Sequence, residues 1–157
     1  EVGKNSLSGL RELANYIKDN KGQLGFNSQW VKCEGTGKKQ LHVFNAAPSF
    51  QYDWDLDWDD ENDEYIQLYE EICKDLVAEQ YRAIAQVAAI KSAASGKQVE
   101  LHLCQVGQGA FYNTLKTMPE ALKAVKEELE GFNVKVYLHE GYGGRARPWS
   151  VIMNSIF

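Results

Sequence analysis

The segment Val99–Asn113, VELHLCQVGQGAFYN, combines residue types suited to gripping an anion. Gly107 and Gly109 free the backbone to take positive φ and to approach a bound group with no Cβ in the way. Successive main-chain N–H groups in such a turn form a concave nest for phosphate oxygens without a lysine. Gln108, Ala110, Phe111, Tyr112 and Asn113 complete the candidate ligand-binding set. A second reading also stands, in which the two glycines only make a tight exit from a strand. A dinucleotide fingerprint fails, because its third glycine position is Tyr112 and the next helix starts about two turns too late. A Walker A loop fails as well, since no Gly-Lys-Ser/Thr follows.

The second concentration of chemistry is acidic. Residues 53–64 hold eight carboxylates and no basic side chain, whereas the other 145 residues carry 17 basic against 14 acidic groups, a net of +3. Asp53, Asp55 and Asp57 are the candidate catalytic carboxylates, able to orient a hydroxyl or to activate water as a general base. Trp54 and Trp58 could cover such a site. Acids at loop positions 1, 3, 5, 7, 9 and 12 imitate a calcium loop, yet the position-6 glycine is Trp58 and no helix leads into Asp53. A weaker Mg²⁺ or Ca²⁺ site remains an option for a cofactor. The plain alternative is a solvated loop capping the helix that follows, where Asp and Glu are favoured.

Composition bounds the rest. With 157 residues and 44% hydrophobic content, the chain is expected to form one domain, residues 1–157, with a real core. No run of 18 apolar residues is present, which argues against a membrane span. A mildly basic body without a basic stripe argues against duplex nucleic acid as partner. Cys33, Cys73 and Cys104 are odd in number and widely spaced, so they are read as reduced thiols, in keeping with a soluble cytoplasmic or nuclear compartment. The first residue is Glu, from which the chain is expected to be trimmed or cut from something longer.

The elements that must position these groups follow from periodicity. Residues 6–20 read as a modest helix, and Trp30–Cys33 and Leu41–Ala46 as strands joined by a polar connection over residues 35–39. The longest periodic run, Asn62 to Ala94, is one helix, or two with a kink near Ala78, ended by Ser95-Gly96. Tyr65, Tyr69 and Tyr81 fall at its core spacing and read as packing. Strand Val99–Gln105 follows, then a helix opened by a Thr117–Glu120 capping box and stopped at Gly131. Strand Val134–His139, a Gly141–Gly144 turn and an edge strand Trp149–Met153 close the chain. Alternating strands and helices predict an α/β fold with a largely parallel sheet. His42, His102 and His139 read as bystanders, while Arg145 and Arg147 could reach a phosphate or a protein partner.

The order strand, Ala-Ala-Pro, long helix, strand, Gly-x-Gly-Ala-Phe-x-Asn, helix, strand resembles the macrodomain superfamily of ADP-ribose binders and hydrolases, over roughly residues 41–140. The glycine segment is most similar to its form in microbial glycohydrolase-like branches. The resemblance implies a three-layer α/β/α sandwich with a mixed, mostly parallel sheet. It also implies ADP-ribose or an ADP-ribosylated protein as partner, and a diphosphate held at Gly107–Asn113. Tyr142 would lie against adenine. Asn45 maps either to a ribose-contacting position or to a purely structural one. Two family signatures are not intact in this chain: the Asn-Ala-Ala-Asn stretch followed by three glycines, and the paired glutamates of glycohydrolases. Hydrolysis of the ADP-ribosyl linkage is therefore one option. Two alternatives are a non-enzymatic interaction domain using the acidic Trp-rich loop, and a divalent-ion-dependent phosphoester hydrolase using the aspartates.

Overall fold

A 32-residue helix, Glu64–Ser95 (α2), is the spine on which the other helices and one sheet are hung. The computed structural model describes residues 7–23, 25, 28–32, 34–35, 37, 39–43, 63–107, 113, 116–140 and 149–150. In chain order the elements are α1 (Leu7–Asp19), β1 (Ser28–Lys32), β2 (Lys39–Val43), α2, β3 (Val99–Cys104), α3 (Thr117–Leu129) and β4 (Val134–His139).

Both ends of α2 carry the signals expected of them. The Asp63 carboxylate accepts from the amides of Tyr65 at 2.7 Å and Ile66 at 3.3 Å, satisfying two first-turn donors. Gly96 takes the left-handed conformation, φ +62, and its N–H closes on the Ser92 carbonyl at 3.0 Å. Of the eight clustered acids, Asp63 is thus a helix cap, and Glu64 pairs with Arg11.

The two halves of α2 bury different partners. Its N-terminal half packs Ile72 against Leu10, Ala14 and Ile17 of α1. Arg11 pairs with Glu64 and Lys18 with Glu71, and Lys21, just past α1, approaches Asp75 at 4.0 Å, so successive cations along the chain meet successive acids of α2. The two helices therefore run in the same direction here. Exposed pairs of this kind contribute about 0–1 kcal/mol each, so they set register while the buried aliphatic side chains supply the stability.

The C-terminal half of α2 presents Val77, Tyr81, Ala85 and Ala88 to Leu101 and Leu103 of β3 and to Met118, Ala121, Leu122 and Val125 of α3. β3, α3 and β4 form a β-α-β unit in which Val99 pairs with Val134 and the parallel register runs to Cys104 opposite His139. The period-two pattern decides what each face does. Leu101 and Leu103 point under the helices, whereas Glu100, His102 and Cys104 are exposed on the other face.

The mixed α/β character is as expected, with three departures. Among the described residues the strands form two separate pairs, β1–β2 antiparallel and β3–β4 parallel, where a largely parallel sheet was expected. Among the described residues, helices cover one face of the parallel pair, and Glu100, His102, Cys104, Lys135 and His139 leave the other open. The capping box is also not formed. α3 is preceded by Lys116, which already has helical backbone and makes no side-chain cap bond, so Thr117 falls inside the first turn with its Oγ1 buried and, among the described residues, unbonded. Finally, Trp149 and Ser150 are helical rather than extended. A proline immediately before them in sequence suits a helix start, and burial of the indole in the main core outweighs strand propensity.

Candidate functional site

The glycine segment begins where β3 leaves the core, and three contacts fix that exit. Gly107 has φ +80, a conformation that a side chain would strain. The Asn113 amide donates to the Gly107 carbonyl at 2.9 Å, which holds these two residues together. Asn113 itself is completely buried. Upstream, the Tyr81 hydroxyl donates to the Cys104 carbonyl and accepts the Val106 amide at 3.3 Å. Burial holds its phenol well above the usual tyrosine range, so it stays a neutral donor.

A parallel closure occurs at the neighbouring strand. The Trp149 indole N–H donates to the His139 carbonyl at 2.8 Å, and the ring is 4% exposed. Trp149 is thereby tied to the last residue of β4. The carboxyl ends of β3 and β4 thus lie side by side, the place where open α/β sheets form ligand crevices.

Of the residues singled out in sequence, Gly107 and Asn113 are brought within one hydrogen bond. Asn45, Asp53, Asp55, Asp57, Gln108, Gly109, Ala110, Phe111, Tyr112 and Tyr142 lie outside the described residues, as do Trp54, Trp58, Arg145 and Arg147. Among the described residues no three His, Cys, Asp or Glu side chains are grouped to hold a metal ion. No described helix is long and apolar enough to cross a membrane. Cys73 and Cys104 are free thiols, one buried and one exposed. Burial pushes the Cys73 thiol up to about 12, which keeps it protonated and inert.

Two features escaped sequence reasoning. Tyr81 was read as packing, but its hydroxyl organises the strand exit; no local pattern marks a buried phenol whose partners lie 23 and 25 residues away. The histidines read as bystanders include a pair: His102 Nδ1 lies 2.8 Å from His139 Nε2 across the open sheet face. The signal available was parity, since both fall on the exposed face of their strands.

A polar cleft of about 200 Å³ lies between α2, α3 and Lys21. Arg82 bonds Glu79, Glu128 and Glu127 there at 3.1, 2.7 and 3.4 Å, and Glu79 also accepts the Gly22 amide. We read it as a structural ion network joining the two helices. Set against known proteins, the chain matches no family model, no curated protein and no solved structure.

Proposed function

We propose that this chain binds ADP-ribose, free or attached to a protein, with the diphosphate seated on the backbone amides of Gly107–Asn113. The observation carrying this reading is the hydrogen-bonded closure of Asn113 on Gly107 at the carboxyl end of a parallel strand. Main-chain N–H groups of a short glycine-containing turn can supply partial positive charge to an anion, and this reading assigns that role to the segment between Gly107 and Asn113. The resemblance of the Gly-x-Gly-Ala-Phe-x-Asn segment to the macrodomain loop then selects ADP-ribose among diphosphate ligands.

In this proposal Tyr142, carried from the adjacent strand, stacks on adenine, and Asn45 contacts the distal ribose. Cleavage of the ADP-ribosyl linkage, where it occurs, falls to one of Asp53, Asp55 and Asp57 acting as general base on water. A test uses two ligands that differ in the base. Stacking beyond simple burial is worth on the order of 1 kcal/mol, so Tyr142→Ala should weaken ADP-ribose binding about tenfold and leave ribose 5-phosphate almost unaffected. Equal loss for both ligands, or none for either, removes Tyr142 from the adenine pocket. Absence of any ADP-ribose binding by the parent chain overturns the whole reading.

A further inference from the structure

The open face of the β3–β4 pair carries Glu100, His102 and Cys104 from one strand and Lys135, Tyr137 and His139 from the other. We infer that His102 and His139 on this face form a two-imidazole chelate for a first-row transition dication. Their facing nitrogens, His102 Nδ1 and His139 Nε2, are 2.8 Å apart. With metal–nitrogen bonds of about 2.0–2.1 Å, two imidazoles bound at 90–109° place their nitrogens about 2.9–3.3 Å apart, so the ion enters by a shift of a few tenths of an ångström together with a turn of each ring by roughly 35–45°, because the nitrogens now face each other along the line between ring centroids 5.1 Å apart.

The plane of the His102 ring is held before any ion arrives, and a turn within that plane keeps its stacking. His102 stacks on Tyr137 with centroids 4.8 Å apart and planes 8° from parallel, and the Tyr137 hydroxyl donates to Glu100 Oε1 at 3.3 Å. Glu100 Oε2 lies 4.0 Å from His102 Nε2, on the far side of the ring from His139. A carboxylate there favours the tautomer with its proton on Nε2, which leaves the Nδ1 lone pair facing His139. In the resting pair His139 Nε2–H donates to that lone pair. Binding of the ion moves the His139 proton to Nδ1 and presents both lone pairs to the metal, with no net loss of protons. Both ligands sit on adjacent hydrogen-bonded strands, which hold their spacing better than loops do. Two protein ligands leave the remaining coordination positions to solvent or to a third molecule. Imidazole donors without a thiolate suit Ni²⁺, Cu²⁺ and Zn²⁺.

The test is calorimetric titration of NiCl₂ into the full 157-residue chain in a non-chelating buffer. Ni²⁺ is chosen because it prefers imidazole to carboxylate, which separates this pair from the acidic run at residues 53–64. One ion per chain is expected, and His102→Gln or His139→Gln should each weaken binding roughly a hundredfold, the benefit a second tethered ligand brings. Cys104→Ser and His42→Gln should leave the affinity unchanged. The Cu²⁺-loaded chain should show two equivalent nitrogens by electron paramagnetic resonance, and one in either single variant. Either histidine variant binding within about threefold of the parent, or binding that depends on Cys104 instead, overturns the assignment.

Discussion

The phenolic oxygen of Tyr81 ties α2 to the Cys104 carbonyl at the last residue of β3, three residues before Gly107. The same oxygen accepts the Val106 amide, so one buried hydroxyl serves both a carbonyl and an N–H at the point where the strand ladder ends. The mouth of the candidate site is thereby fixed from the core side.

Tyr81→Phe keeps the ring and its packing but leaves those two backbone groups without the hydroxyl. An unmet buried polar group costs about 1–3 kcal/mol, and a loss of that size should appear in urea denaturation. ADP-ribose binding should weaken in the same variant, because the loop's entry point loosens. A variant as stable as the parent would show that the hydroxyl's bonds contribute nothing net.

Stability should fall on the alkaline side. Burial holds both the Cys73 thiol and the Tyr81 phenol above their ordinary values, with Cys73 at about 12 against 9.0 when free. Between these limits the unfolded chain releases protons that the folded chain keeps, so stability is complete below pH 9 and declines as pH rises. Each group contributes a slope of about 1.4 kcal/mol per pH unit where only its unfolded form is ionised. Denaturation midpoints from pH 8 to 11 should show this decline, and Tyr81→Phe should remove the tyrosine share. A flat profile across the range contradicts the burial of both groups.

Arg82 is the hub joining α2 to α3, and Glu79 beneath it is 3% exposed. Removing one partner of a buried pair strands the other charge, so Arg82→Ala should cost about 3 kcal/mol. Adding Glu79→Gln should recover part of the loss, because a neutral amide needs no cation. A loss below about 1 kcal/mol, with no recovery in the double variant, would mark the network as an exposed surface pair.

Much of the fold was legible because its signals are local. The i, i+3, i+4 spacing from Tyr65 to Ala88 and the Ser95-Gly96 stop locate α2, and β3 and β4 fall where strands were expected, with β4 matching residue for residue. The Asp63 cap lies within the stretch where acids at a helix start were one of the readings. What was not legible depends on partners distant in sequence. His102 and His139 meet only because β3 and β4 pair in parallel through a crossover helix, and Tyr81 finds Cys104 only once α2 lies on the sheet. Trp149 was expected in an edge strand, yet its indole is committed to the core and to the His139 carbonyl. Of the candidate site, sequence supplied the glycine segment, and the closure of Asn113 on Gly107 required the fold.

The central claim is that the glycine segment holds a diphosphate, and one measurement addresses it most directly: calorimetric titration of ADP-ribose into the parent chain and into Gly109→Val. A β-branched side chain at Gly109 should block the approach of the phosphates while leaving the core of α2, β3 and α3 intact. The account predicts saturable one-to-one binding by the parent, no measurable binding by Gly109→Val, and unfolding temperatures that agree between the two. Equal ADP-ribose affinity in a folded Gly109→Val chain would contradict it.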